Sequence, residues 1–287
     1  MNIGFTSMYF FELPIDEIFK IANELNFSFI ELNSELYCLE SSNKSEKMIA
    51  SEIIDLKNSY NVNLELHAPY VDINLLSYNK EIQKTSWKEI LKALHFAYLT
   101  EIDIVTLHLG RFPFGLELKQ DENSFLKKIY QRGVNYLKNI LQFAKTHEIK
   151  VGVENLHFFP GKFPKYPEDF EMLISDIPDL KITFDLAHAY TISDVLAEEL
   201  MKRMHDRIIN IHVSDVDDTT NDHHISIGDG KVDFSLFFKN MKKYKIEAPI
   251  VIELDAIKVC GDKISNLRYR KDMLLKSKSK LLNFAKQ

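Results

Sequence analysis

The chain has 287 residues, 45% hydrophobic and 27% charged, a composition that supports a large buried core and excludes a disordered or fibrous protein. Its net charge of −6 excludes a molecule-wide attraction to nucleic acid or acidic membranes. Two cysteines, Cys38 and Cys260, are too few for a disulfide framework or a thiolate metal site, no stretch is apolar enough for a bilayer span, and the opening Met1-Asn2-Ile3-Gly4 lacks the basic and apolar character of a secretory leader, so a cytoplasmic protein with no membrane partner is expected.

In chain order, short runs of β-branched and apolar residues predict strands over 3–6, 28–32, 62–67, 104–108, 151–154, 182–185, 208–212 and 250–253. Helical periodicity predicts helices over 15–25, 45–59, 80–100, 124–146, 168–175, 193–205, 234–243 and 266–284. In the longest, Phe125, Ile129, Val134, Leu137 and Leu141 share one broad apolar face. The strands hardly alternate: Val105, Leu107, Val151, Val153, Ile209 and Ile211 mark a sheet covered on both faces, which is a parallel sheet under helices. Strands each followed by a helix, with no linker or composition shift, predict one α/β domain over 1–287, a (β/α)8 TIM barrel. The longest irregular stretch, 214–231, separates the seventh strand from its helix and is expected to carry function.

In such a barrel the carboxyl ends of the strands converge on one face. The third strand ends in His67, the fourth in His108, the fifth in Glu154, and the sixth in Asp185 with His188 just beyond. The seventh ends in His212, its loop carries Asp222-His223-His224, and the eighth ends in Glu253. Any one of these alone reads as a hydrogen-bonded structural residue or a helix cap. Together, imidazoles and carboxylates meeting in one cavity need cations to offset desolvation and repulsion. Nitrogen and oxygen donors without thiolate suit zinc, manganese, iron or cobalt. The candidates are too many for one ion and sufficient for two or three, with Glu154 bridging. His95, His147 and His205 lie in or near helical patterns and are read as surface or packing residues.

The segments His67-Ala68-Pro69-Tyr70 with Asn74-Leu75, Thr106-Leu107-His108-Leu109-Gly110-Arg111, Val153-Glu154-Asn155-Leu156 and Phe184-Asp185-Leu186-Ala187-His188-Ala189 carry a resemblance. His212 with Asp215, Asp222-His223-His224 leading to Gly228-Asp229-Gly230, and Ile252-Glu253 continue it. The chain resembles the xylose-isomerase-like TIM barrels, which include the sugar phosphate isomerase/epimerase family and endonuclease IV. The endonuclease IV likeness implies zinc ligands at His67, His108, Glu154, Asp185, His188, His212, Asp222, His224 and Glu253. The sugar epimerase likeness implies one manganese or similar ion held by Glu154, Asp185, His212 and Glu253. Between one and three divalent ions, zinc or manganese, are therefore expected. Two features depart from endonuclease IV: the first strand, Gly4-Phe5-Thr6-Ser7-Met8, has no double glycine, and the second, Phe29-Ile30-Glu31-Leu32-Asn33, looks like the sugar branch. Leu109 stands where both branches usually show proline.

The resemblance implies two activities. In a sugar or sugar-phosphate isomerase or epimerase, Glu154 and Glu253 would flank the substrate and exchange its proton, while His188 and Arg111 hold hydroxyls or a phosphate. Tyr70 would rim the pocket, and the backbone at Gly228 and Gly230 would cradle an anion. In the alternative, a phosphodiesterase acting at abasic sites in DNA, Glu154 would orient or deprotonate the attacking hydroxide and basic residues would contact DNA. The basic C-terminal segment, from Lys258 to Lys280, is expected to form a solvated face of the last helix.

Overall fold

The computed structural model describes residues 1–36, 44–118, 124–217 and 223–287. Strands β1 (Ile3–Thr6), β2 (Phe29–Asn33), β3 (Asn63–His67), β4 (Ile104–Leu107), β5 (Lys150–Glu154), β6 (Lys181–Asp185), β7 (Ile208–Val213) and β8 (Ile250–Ile252) follow one another around a closed barrel. Every pairing is parallel, and Ile3 opposite Ile250 closes the ring between β1 and β8. The expected (β/α)8 architecture is the one observed.

The main outer helices are α1 (Ile15–Glu24), α2 (Glu46–Tyr60), α3 (Lys80–Leu99), α4 (Ser124–Thr146) and α5 (Pro167–Asp176). They continue as α6 (Leu186–Ile192), α7 (Asp194–Met204), α8 (Phe234–Tyr244), α9 (Ala256–Cys260) and α10 (Leu267–Phe284). Local sequence sets their starts: Ser45, Asn79, Ser193, Asp233 and Asn266 each accept a hydrogen bond from an amide of the first turn. Asn61 and Lys245 end α2 and α8 in the left-handed conformation that stops a helix. The short helices α6 and α9 were not expected from periodicity; Asp185 and Asp255 cap them directly after β6 and β8.

The outward strand residues, such as Ile30, Leu32, Val105, Leu107, Val153 and Ile211, pack under the helices as one continuous core. The barrel interior is different. Thr106 on β4 bonds Thr183 on β6 at 3.0 Å, and His212 on β7 bonds Glu31 on β2 at 2.9 Å. Strands that are not neighbours can exchange side-chain hydrogen bonds only through the barrel. A buried polar layer of Glu31, Glu65, Thr106, Thr183 and Asn210 thus lies within the barrel.

The basic stretch from Lys258 to Lys280 runs through α9 and α10, and several of its charges are spent internally. Arg270 is buried and pairs with Glu12, Lys271 pairs with Glu24, and Lys278 donates to the carbonyls of Leu25 and Asn26. Lys280 binds Asp229 at 2.6 Å.

Candidate metal centre

The parallel barrel brings its strand ends to one face, and the side chains found there come from six strands. His67 ends β3, His108 follows β4, Glu154 ends β5, Asp185 ends β6, His212 lies near the end of β7, and Glu253 follows β8. Glu154 is the hub. Its Oε2 lies 2.7 Å from His108 Nε2 and 3.5 Å from His67 Nε2. Its Oε1 lies 3.3 Å from His212 Nδ1 and 3.4 Å from His188 Nδ1. Glu253 Oε2 approaches His212 Nδ1 to 2.8 Å.

These contacts resolve into two groups of ligand atoms, each contained within 4.8 Å: His67, His108 and Glu154, and Glu154, Asp185, His212 and Glu253. The chemistry of the second group argues for a cation. Glu154 Oε1, Asp185 Oδ2, His212 Nδ1 and Glu253 Oε2 are all buried and make no well-directed hydrogen bond, the 2.8 Å approach of Glu253 to His212 included. A fold seldom leaves one such atom orphaned, and a divalent ion would satisfy all four together. The donor set of imidazole nitrogen and carboxylate oxygen fits zinc or manganese.

The protonation pattern agrees. Burial opposes charge on His212, but Glu31, Glu154 and Glu253 outweigh it and hold the imidazole well above its usual range. The same contest, settled chiefly by Glu154 and Glu31, lifts His67 to about 9. Burial pushes His108 down to about 4 and Asp185 up to about 6. Burial likewise opposes ionisation of Glu154 and Glu253, yet His212 and His108 hold Glu154 well below its usual range, and His224 and His212 hold Glu253 near 2. Without metal, protons on imidazoles supply the positive charge that these carboxylates require.

The remaining expected residues fall into three situations. His188 and His224 adjoin the centre with rings 5.3 Å apart; His188 Nδ1 donates to the Asn155 carbonyl at 2.8 Å, and His224 Nδ1 contacts Ser214 Oγ at 2.8 Å. Asp222 lies outside the described residues. Tyr70 borders the centre. The Tyr70 ring packs edge-on to His67 at 5.2 Å and lies 5.4 Å from His108. The Arg111 guanidinium lies 5.8 Å over the Phe159 ring. Arg111 lines a cavity of about 660 Å³ with Asn74, Tyr78 and Phe114.

Gly228 and Gly230 require a correction. Their amides do not serve as an anion cradle: both donate to Oδ2 of the buried Asp215 at 2.9 Å. Oδ1 of the same carboxylate accepts from Val232 at 3.0 Å. A Cβ at Gly230 would lie 2.2 Å from the Val216 carbonyl, so glycine is there for close packing.

Two residues escaped the sequence reading. His157 follows β5, and its ring lies 5.3 Å from that of His188. Glu31 is fully buried on β2 and accepts from His212 Nε2. A lone carboxylate inside an otherwise apolar strand was the available signal for Glu31.

Residues 19–275 match the family model described as xylose isomerase-like TIM barrel. An uncharacterized protein of Methanocaldococcus jannaschii is 28% identical over 257 residues, 88% of this chain and 83% of its own length. The crystal structure of a D-tagatose 3-epimerase-like protein superposes with a TM-score of 0.76 at 26% identity, over 98% of this chain and 100% of its own. The IOLI protein, solved with a bound zinc atom, shares the fold with a TM-score of 0.75 at 12% identity, over 99% of this chain and 98% of its own.

Proposed function

The chain belongs to the xylose isomerase-like TIM barrel family, and from that premise we propose that it is a divalent-metal-dependent isomerase or epimerase of a sugar or sugar phosphate. The observation that carries this reading is the set of four orphaned ligand atoms on Glu154, Asp185, His212 and Glu253. Likeness to a D-tagatose 3-epimerase-like protein supports the reaction class.

Glu154, Asp185, His212 and Glu253 would hold the ion. Such an ion, when bound, polarises a sugar carbonyl and acidifies the neighbouring C–H bond. Glu154 and Glu253 reach His212 Nδ1 from β5 and from beyond β8, so two ionised carboxylates face one small volume from different walls. One removes the proton from carbon, and the other returns it to the opposite face for epimerisation or to the neighbouring carbon for isomerisation. His188, fixed through Nδ1 to the Asn155 carbonyl beside Glu154, would contact a substrate hydroxyl. Tyr70 borders the ligands, and Arg111 gives the cavity beside Asn74 and Tyr78 a cation suited to a phosphate.

The test is proton exchange at carbon. The zinc- or manganese-loaded protein is incubated in deuterated water with a panel of ketoses and ketose phosphates, and NMR follows deuterium entering beside the carbonyl. Exchange at one carbon of one substrate is expected, with loss of at least 100-fold in Glu154→Gln. No exchange across the panel by protein shown to contain metal would sink the proposal.

One observation favours a second reading. The group His67, His108 and Glu154 offers ligands beyond those a mononuclear epimerase uses. Two or more ions bridged by Glu154 suit hydrolysis of a phosphodiester. Cleavage of a duplex carrying one abasic site, dependent on His108 and Glu154, would establish that reading instead.

A further inference from the structure

Glu31 has no place in the chemistry above, yet its environment is specific. It lies in the middle of β2, opposite Glu65 on β3, and none of its surface is exposed. A fully buried carboxylate is costly unless a charged or hydrogen-bonded group answers it. Oε2 accepts from His212 Nε2 at 2.9 Å, whereas Oε1 has no partner. His212 is also fully buried, and its other nitrogen faces Glu154 and Glu253.

We propose that Glu31 is a positioning residue for metal binding, holding the His212 ring so that Nε2 carries the proton and Nδ1 presents its lone pair to the ion. The inference rests on the reading of Glu154, Asp185, His212 and Glu253 as metal ligands. A carboxylate behind an imidazole fixes both tautomer and ring orientation and raises the basicity of the coordinating nitrogen. The geometry suits that task because donor and acceptor come from different walls of one rigid barrel. β2 and β7 are not neighbours, so the hydrogen bond crosses the interior and fixes the imidazole from behind. Neither residue has solvent that could replace the other.

The test measures zinc affinity of the metal-stripped protein by competition with a chromophoric chelator, independently of any activity. Glu31→Leu keeps the volume and removes the acceptor; its zinc Kd is expected to rise about 10- to 100-fold. Glu31→Gln keeps an oxygen that accepts from Nε2–H but loses the charge, and a smaller rise is expected. In a His212→Ala background Glu31→Leu should add nothing, because its effect passes through that ring. Nitrogen-15 spectra of the zinc-bound protein should show His212 protonated at Nε2.

Should Glu31→Leu fail to fold, Glu31→Gln with the nitrogen-15 spectrum carries the test. A folded Glu31 variant with wild-type zinc Kd overturns the proposal, as does an undiminished Glu31→Leu effect without His212. Wild-type protein that binds no zinc or manganese overturns the underlying metal reading, and this inference with it.

Discussion

Glu154 is the residue on which both ligand groups depend, because its two oxygens reach four imidazoles. Removing its charge should therefore lower the number of zinc ions bound, not only their affinity, and elemental analysis of Glu154→Gln after equilibrium dialysis checks this. Stoichiometry unchanged from wild type would show that the two groups do not share this ligand. Glu65 makes a different prediction. Burial, then the neighbouring charge of Glu31, push its carboxyl up to about 9 from an unfolded value of 4.5. The folded protein thus binds a proton that the unfolded chain has released between those values, so this group makes stability fall as pH rises through that window. Glu65→Gln should flatten the fall in the metal-free protein and raise Tm at pH 8, by about 2–4 °C for each kcal/mol regained. An unchanged Tm profile from pH 5 to pH 9 would show that Glu65 is answered by a partner in its charged form.

Among the elements, the described parts of the loop after β7, 214–217 and 223–232, are organised by one carboxylate. Asp215 accepts from Gly228, Gly230 and Val232, and its backbone pairs with Ile225 beside His224. Gly230→Ala would drive a Cβ into the Val216 carbonyl, where no flexible side chain can give way. A loss of about 1–3 kcal/mol is expected from overpacking, read as a lower denaturation midpoint in urea. A midpoint equal to wild type would mean that the loop accommodates the methyl group. The same loop shows where sequence ceased to be informative. Gly228-Asp229-Gly230 read as an anion cradle because the acceptor that consumes its amides stands 13 and 15 residues earlier. The eight strands were legible because continuous β-branched runs have few alternatives under a helical shell, and their carboxyl ends carry the side chains that the barrel brings together. Helix α6 was hidden because only Asp185 separates it from the apolar run of β6, and seven residues are too few for a helical period to show. Glu31 was visible as an oddity but not as a partner of His212, since 181 residues separate them and only barrel closure brings them together.

At the scale of the whole molecule, the proposed metal centre and the barrel would form one thermodynamic unit. The four candidate ligands come from β5, β6, β7 and the end of β8, so an ion bound there would tie together strands whose relative positions exist only in the closed barrel. Binding to the folded state alone stabilises by RT ln(1 + [L]/Kd), about 4 kcal/mol at a thousandfold excess over Kd. For a chain of this size that is on the order of 10 °C in Tm. The metal-free protein has a proton-based substitute, with His67 raised to about 9 and His212 raised well above its usual range. A folded imidazole pKa above the unfolded 6.5 contributes stability that is complete below 6.5 and lost as pH climbs toward the folded value. Glu65 weakens the metal-free protein in the same direction, whereas His108, lowered to about 4, adds its change below 6.5. Zinc, by contrast, competes with protons for His67 and His212 and gains affinity as they leave. The difference in Tm between zinc-loaded and chelator-stripped protein should therefore widen between pH 6.5 and pH 9. Paired thermal melts across that range decide the matter: a difference that stays constant or narrows would mean that protonated imidazoles do not stand in for the ion.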